Sequence, residues 1–272
     1  MEYSEISPPG PLKNDVKCIW VLEGQVDWEI SELEVEKVLP DGCSELIFHT
    51  GDLFQRSTSG SEFEIQPRSF YYGQLKRFLL LKPTGKIDII AVRFFPWGFR
   101  SIFPIPSGEF TELCTSIDLI WNQMGKELEE KIQIAKTKEE RVEIIFNFLI
   151  SNLIRNKRKN PNAMAIVKGI VQTEGLHSVR SIRDRFEIEE RTLERYFHEF
   201  VGLTPKHFMK ITRLQHFLKV AEGKKILNFS QLAQECRFFD QSHLIREFKN
   251  FVGVTPKEYF EKDRHFTEFF IG

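Results

Sequence analysis

The stretch RYFHEFVGLTPKHF, residues 195–208, returns as REFKNFVGVTPKEY at residues 246–259, fourteen positions in register without a gap. The shared letters have a mechanical meaning. Gly202 and Gly253 are free to take the left-handed conformation that stops a helix, and Leu203 and Val254 then fold back as the accompanying hydrophobic contact. Thr204 and Thr255 follow as helix caps, with Pro205 and Pro256 in the first helical position, where a missing N–H costs nothing. Each copy is a helix stop followed by a helix start.

On its own the string describes two similar corners; the residues upstream of each copy say what the corners join. Before the first, Val179, Ile182 and Phe186 fall at helical spacing, a break comes at Glu187 and Ile188, and a second helix runs from about Glu190 through Leu193, Phe197 and Phe200. Before the second, Ser230 is placed to cap a helix carrying Leu232, Ala233 and Cys236, the break falls at Arg237 to Phe239, and a helix runs from about Asp240 through Leu244, Phe248 and Phe251. Both units, about 179–201 and 230–252, read helix, tight turn, helix. With the apolar side of each second helix turned inward, Arg191, Glu194 and Arg195 face outward in the first, and Gln241, Ser242, Ile245 and Arg246 in the second. Such side chains suit base edges: Arg pairs with guanine, Gln with adenine and Glu with cytosine.

Between the units, Pro205 to about Glu222 predicts an amphipathic helix, with Phe208, Ile211, Leu214, Leu218 and Val220 apolar and Lys206, Lys210, Arg213 and Lys219 basic. At ~1.5 Å per residue it spans about 26 Å. A rigid spacer of that length suits two recognition helices in successive major-groove turns, about 34 Å apart.

With the repeat, both helix pairs and the linking helix in view, residues from about Met164 to Asp263 resemble the DNA-binding domain of the AraC/XylS family of bacterial transcription regulators. Arg213 and the segment IREFKNFVGVTPKEY are especially similar to that family. The resemblance implies a seven-helix fold, sequence-specific promoter binding, and base contacts from Arg191, Glu194, Arg195, Gln241, Ser242 and Arg246. It also names candidate partners: promoter DNA, RNA polymerase, a small-molecule effector and a second copy of the chain. The chain departs from the family pattern where Glu187 and Arg237 replace the usual turn glycine and Glu189 replaces the usual cap. A non-glycine residue at positive φ costs on the order of 1 kcal/mol. Glu189 and Glu190 suit a helix N-terminus electrostatically, whereas Glu194 either reads a cytosine or weakens the grip of the first unit.

Residues 1–108 carry a different pattern. Short β-rich runs at Val16–Leu22, Val35–Leu39, Ser44–His49, Phe63–Ile65, Phe70–Tyr72, Phe78–Lys82 and Ile87–Phe95 alternate with turn signals such as Pro40-Asp41-Gly42 and Pro83-Thr84-Gly85. A cupin-like barrel or a sandwich fits this spacing. The strings LPDGCSELIF (39–48) and DIIAVRFFPWG (88–98) resemble the β-rich sensory domain found in one subgroup of AraC-like proteins, a resemblance that implies no known ligand. Glu109 to about Arg155 reads as helical. Within it Val142, Ile145, Phe146, Leu149, Leu153 and Ile154 form a stripe that either packs on its own domain or pairs with a second subunit. The organisation expected is α+β in two domains: a β-rich sensory or dimerisation domain at 1–155 with trailing helices, a basic linker at 156–161, and an all-α DNA-binding domain at 162–272.

Composition agrees with that division. The chain has 272 residues, 41% of them hydrophobic and 28% charged, enough for two folded domains and too apolar for disorder. From Pro161 onward Lys and Arg number 18 against 15 Asp and Glu, while the residues before it hold 20 against 24, so the later part is the basic one. The excess permits contact with phosphates without requiring it. Met1 to Glu5 is acidic where a secretory signal is basic, and no run of about 18 uncharged apolar residues occurs, so a cytoplasmic protein away from the membrane is expected.

The competing reading is a cupin-like small-molecule-binding protein or enzyme fused to the DNA-binding module. Cupin metal sites need several histidines, yet His49 is the only one before His177, and Cys18, Cys43, Cys114 and Cys236 are scattered rather than paired. No G-x-S-x-G elbow or phosphate-cradling loop is present. No cofactor, metal or catalytic residue is therefore expected. Glu45, His49 and Arg93, alternating with apolar residues on predicted strands, are the polar groups placed to meet a ligand in the first domain; an internal ion pair or an outward-facing edge is the other use for them.

Overall fold

The computed structural model describes residues 1–25, 35–156, 160–222, 224 and 228–262. Its first part holds β1 (Glu2–Ile6), β2 (Val16–Gly24), β3 (Glu36–Val38), β4 (Ser44–His49), β5 (Phe54–Ser57), β6 (Glu64–Ile65), β7 (Ser69–Tyr72), β8 (Leu79–Pro83) and β9 (Ile87–Phe94). These are followed by α1 (Gly98–Ile102), β10 (Cys114–Ser116), α2 (Ile117–Trp121), α3 (Gln123–Ile134) and α4 (Lys138–Arg155). Among the described residues the strands make a six-stranded sheet in the order β1-β2-β9-β4-β7-β10 and a four-stranded sheet in the order β3-β8-β5-β6. All pairings are antiparallel. The two sheets are not closed into one barrel, so the open form of the two expected shapes is the one built.

The period-2 alternation of strands sorts side chains between two layers. On β4 and β9, Leu46, Phe48, Ile90, Val92 and Phe94 face α1–α4 and join Ile145 and Leu149 in one core. Ile47, Ile89, Ala91 and Trp20 face the small sheet. Being buried on both faces, β9 reads as a nearly continuous apolar run. The stripe on α4 is covered by its own sheet: Val142, Ile145, Leu149 and Leu153 are buried and Phe146 packs beside them, while Ile154 alone is left exposed at 74%. Thr137 and Glu140 form a reciprocal capping box at its start. Residues 109–155 are not helical throughout. Cys114–Ser116 pairs with Phe70–Tyr72 as an edge strand, too short to show a period of its own.

The second part is all helical where described: α5 (Pro161–Gln172), α6 (Val179–Phe186), α7 (Glu190–Phe200), α8 (Pro205–Glu222), α9 (Phe229–Glu235), α10 (Gln241–Val252) and α11 (Pro256–Lys262). One core runs through it, from Ile166 and Ile182 through Phe197, Phe208 and Phe217 to Phe248, and takes in Leu39 and Trp97 from the β-rich part. Of the basic linker, Lys157 to Lys159 lie outside the described residues. Its two ends are fastened: buried Asn156 donates to the carbonyls of Arg100 and Ser101, and Asn160 caps α5.

Candidate nucleic-acid interface and interior cavity

Both helix pairs turn on a residue in the left-handed conformation, Glu187 (φ 49°) and Arg237 (φ 53°). The amide of the next residue closes each corner in the same way, Ile188 onto the Arg183 carbonyl at 3.1 Å and Phe238 onto the Ala233 carbonyl at 2.8 Å. From there the units diverge. α7 begins three residues after its turn residue and α10 four residues after, so the second unit carries one residue more. The insertion brings Phe239, 91% exposed, to the start of α10, its backbone amide resting on His243 Nδ1 at 3.2 Å. Asp240 caps α10, whereas Glu189 makes no side-chain cap for α7. The cap of α9 is Asn228 rather than Ser230, whose hydroxyl instead donates to Gln241 at 2.7 Å. An asparagine two residues earlier starts the helix two residues sooner, at Phe229, a choice that composition does not resolve.

On α7, Leu193, Phe197 and Phe200 are buried and Arg191, Glu194 and Arg195 exposed together; on α10, Leu244, Phe248 and Phe251 are buried and Gln241, Ser242 and Arg246 exposed together. Glu247, on the inward side of α10, is buried and bound by Lys210 at 2.6 Å and Arg213 at 2.9 Å from the linking helix α8. Burial works to raise its carboxyl, but the bonds from Lys210 and Arg213 outweigh it and hold the group below the usual carboxylate range. Sequence reading missed both Phe239 and Glu247. The first lies in a break between helices, and the second is a charged residue on the apolar side, visible only once its partners are folded beside it.

Thr204 and Thr255 cap α8 and α11 through the amides of His207 and Glu258, and Gly202 and Gly253 sit at φ 89° and 84°. The β-rich part grips both of these stops. Ser107 donates to the carbonyl of Phe200 at 3.1 Å and Thr111 to that of Gly202, while the Arg100 guanidinium pairs with Glu199 at 2.5 Å. In the second unit the Phe78 amide donates to the carbonyl of Phe251 at 2.8 Å, and its ring lies against Gly253. Carbonyls left over at a helix C-terminus are thereby satisfied by the other domain.

Glu45, His49 and Arg93 all line one cavity of about 90 Å³ between the two sheets, its walls otherwise mostly apolar. Arg93, nearly buried, is ion-paired with Asp41 and lies 3.9 Å from Glu45. Glu45 Oε1 accepts the Trp20 indole N–H at 3.0 Å, and burial pushes its carboxyl up to about 7 against the pull of Arg93. His49 is 1% exposed; burial lowers it to about 4, so the ring is neutral, and its Nε2 meets Gln66 Oε1 at 3.1 Å while Nδ1 has no partner. Asp41 also borders a cleft of about 270 Å³ against α8. There Gln215 donates to the Pro40 carbonyl at 2.8 Å and the Phe208 ring packs on Gly42. Among the described residues no three His, Cys, Asp or Glu side chains gather as metal ligands, and no helix is long and apolar enough to cross a membrane.

Residues 182–262 match the family described as a helix-turn-helix domain, and residues 4–116 match a domain of unknown function (DUF6597). The HTH-type transcriptional activator RhaS of Escherichia fergusonii is 31% identical over 84 residues, 30% of this chain and 29% of the relative. RhaR of an Enterobacter species is 23% identical over 146 residues, 50% of this chain and 51% of the relative. The chain thus spans no more than about half the length of these relatives. Among solved structures, ToxT from Vibrio cholerae aligns over 89% of this chain and 98% of its own at 11% identity, with a TM-score of 0.47. The C-terminal part of the chain, with its repeated helix stops and two helix-turn-helix units, is a DNA-binding domain of the AraC type, joined to a β-rich domain of a family whose function is unknown.

Proposed function

We propose that the chain is a sequence-specific, DNA-binding transcription regulator that reads two successive major-groove segments with α7 and α10, and that residues 1–155 are its regulatory, non-catalytic part. The observation that carries this reading is the pair of exposed faces, Arg191, Glu194 and Arg195 on one recognition helix and Gln241, Ser242 and Arg246 on the other, each backed by a buried apolar face. Arg195 and Arg246 contact guanine, Gln241 adenine and Glu194 cytosine, while Ser242 and Arg191 complete the polar surface. Because the two faces differ, the site is asymmetric, with half-sites roughly 10 base pairs apart.

The relatives' names point to activation, and with it contact to RNA polymerase at a promoter in the cytoplasm. The division at residues 156–161 separates the regulatory part from the part that binds DNA. One chain supplies both recognition helices, and the α4 stripe considered for dimerisation is already covered, so one chain per site is the stoichiometry proposed. Selection of bound sequences from a random DNA pool tests the whole reading. A bipartite, non-palindromic motif occupied by a single chain is expected; no enrichment, or a palindrome bound by two chains, counts against it.

A further inference from the structure

The cavity between the sheets has a composition that selects among ligands. Its body is apolar, with Trp20, Leu22, Ile47, Leu79, Leu81 and Ile89 among its walls. Its one guanidinium, Arg93, is already engaged by Asp41 and flanked by Glu45, and Glu36 also stands on the wall, so an entering anion finds a guanidinium already matched by negative charge and meets three acidic side chains. The Glu45 carboxylate remains as a site for a cation. At the other end of the same face of β4, four residues and roughly 13 Å along the strand at ~3.3 Å per residue, the buried His49 ring keeps Nδ1 without a hydrogen-bond partner. A buried polar atom left unpaired in a native structure points to a missing partner. With Gln66 Oε1 accepting from Nε2, the free Nδ1 is an acceptor, and its partner must be a donor.

We propose that this cavity binds a small apolar amine carrying a hydroxyl donor at its far end, the ammonium on Glu45 and the hydroxyl on His49 Nδ1. The room available, about 90 Å³, corresponds to roughly six to nine water-sized groups at ~10–15 Å³ each, the scale of one aromatic ring with a short arm. Such a ligand presses on the wall formed by Leu39 to Cys43. That wall carries Asp41 on its inner side and holds α8 through Pro40 and Gly42 on its outer side, so occupancy changes how the linking helix is seated. This last step rests on the reading of residues 1–155 as regulatory; binding itself does not.

The test uses the full chain and four probes of equal size class: tyramine, phenethylamine without the hydroxyl, 4-ethylphenol without the amine, and 3-(4-hydroxyphenyl)propionate with a carboxylate in its place. Calorimetry and thermal shift are expected to rank tyramine first, phenethylamine about tenfold weaker for loss of one buried hydrogen bond, and the carboxylate without binding. Glu45→Gln removes the preference for the amine and His49→Phe the preference for the hydroxyl, each variant's fold being checked by its ligand-free melting curve. Should the second variant not fold, the tyramine to phenethylamine ratio in the parent chain tests the hydroxyl contact alone. Equal or tighter binding of the carboxylate, an unchanged ratio in Glu45→Gln, or no binding by either amine overturns the proposal. DNA affinity is read separately with and without tyramine: tyramine binding that leaves DNA affinity unchanged keeps the site and removes the regulatory reading, whereas a chain that binds its DNA but neither amine removes the site and leaves the DNA-binding reading standing.

Discussion

The backbone amide of Phe78, in the β-rich domain, donates to the carbonyl of Phe251, the last aromatic residue of the second recognition helix, at 2.8 Å. Its counterpart in the first unit is Ser107 donating to Phe200, with Thr111 donating to Gly202. Phe200 and Phe251 occupy the same place in the two copies of the repeat. One domain therefore holds the C-terminal ends of both recognition helices through the feature that the repeat duplicates, and their separation depends on that grip as well as on α8.

Removing the grip on the first unit has a defined cost. In Ser107→Ala combined with Thr111→Val, the buried carbonyls of Phe200 and Gly202 lose their donors, so unfolding in urea should show a loss of about 1–3 kcal/mol. Helix content by circular dichroism should not change, because no intrahelical bond is touched. A midpoint identical to that of the parent chain counts against the contact.

Replacement of Arg195 or Arg246 by Ala should weaken specific binding by about 1–3 kcal/mol and relax preference at one base pair each. Footprinting or fluorescence anisotropy at fixed salt reads the affinity, and a library randomised one position at a time reads the preference. Phe239→Ala should behave differently. With 91% of its surface exposed it supports nothing in the fold, so stability is unaffected while preference for thymine at one position falls, as expected when an apolar contact to a base methyl is lost.

The turn residues make a stability prediction of opposite sign. Glu187 and Arg237 sit at φ 49° and 53°, a conformation that costs an L-residue roughly 1–2 kcal/mol and glycine almost nothing. Glycine loses more backbone entropy on folding, which offsets part of the gain. Glu187→Gly and Arg237→Gly should each stabilise the chain, by up to about 1 kcal/mol, as a raised urea midpoint with unchanged slope. A lowered midpoint would show that the side chains contribute more than their backbone strain takes away.

The difference between the two parts in what sequence reading recovered is physical. The helical part was legible because its information is local: glycine at a stop, threonine and proline at a start, and apolar residues every three to four positions each act within one turn of chain. The long strands Ser44–His49 and Ile87–Phe94 were legible for the same reason, as short β-rich runs bounded by turn signals. β1, β5 and β10 were not, because Glu2–Ile6 is mostly polar and Cys114–Ser116 is three residues long, so their strand state comes from pairing with a neighbour distant in sequence. Glu45, His49 and Arg93 could be singled out as polar positions on apolar strands, but Asp41, which neutralises Arg93, stands in a turn and reaches it across 52 residues. The same holds for Glu247, whose partners lie on another helix.

The buried carboxylate Glu45 predicts a pH dependence that can be separated from that of its neighbours. Its folded value of about 7 lies above the ordinary 4.5, so between those values the native chain binds more protons than the unfolded one, and the Glu45 contribution to stability declines as pH rises from 4.5 to 7. His49 acts in the opposite sense. Its folded value of about 4 lies below 6.5, so stability is lost as pH falls through that interval. The two slopes oppose each other over the shared range, which flattens the profile of the parent chain. Glu45→Gln removes one slope only. The variant should match the parent below pH 4.5 in its dependence on Glu45, gain on it steadily to pH 7, and remain more stable above, with Asp41 and Arg93 still paired across the window. Urea unfolding at half-unit intervals from pH 5 to 8 measures the difference. A variant that loses ground to the parent as pH rises would mean that Glu45 is held ionised by Arg93 and that its charge stabilises the native chain.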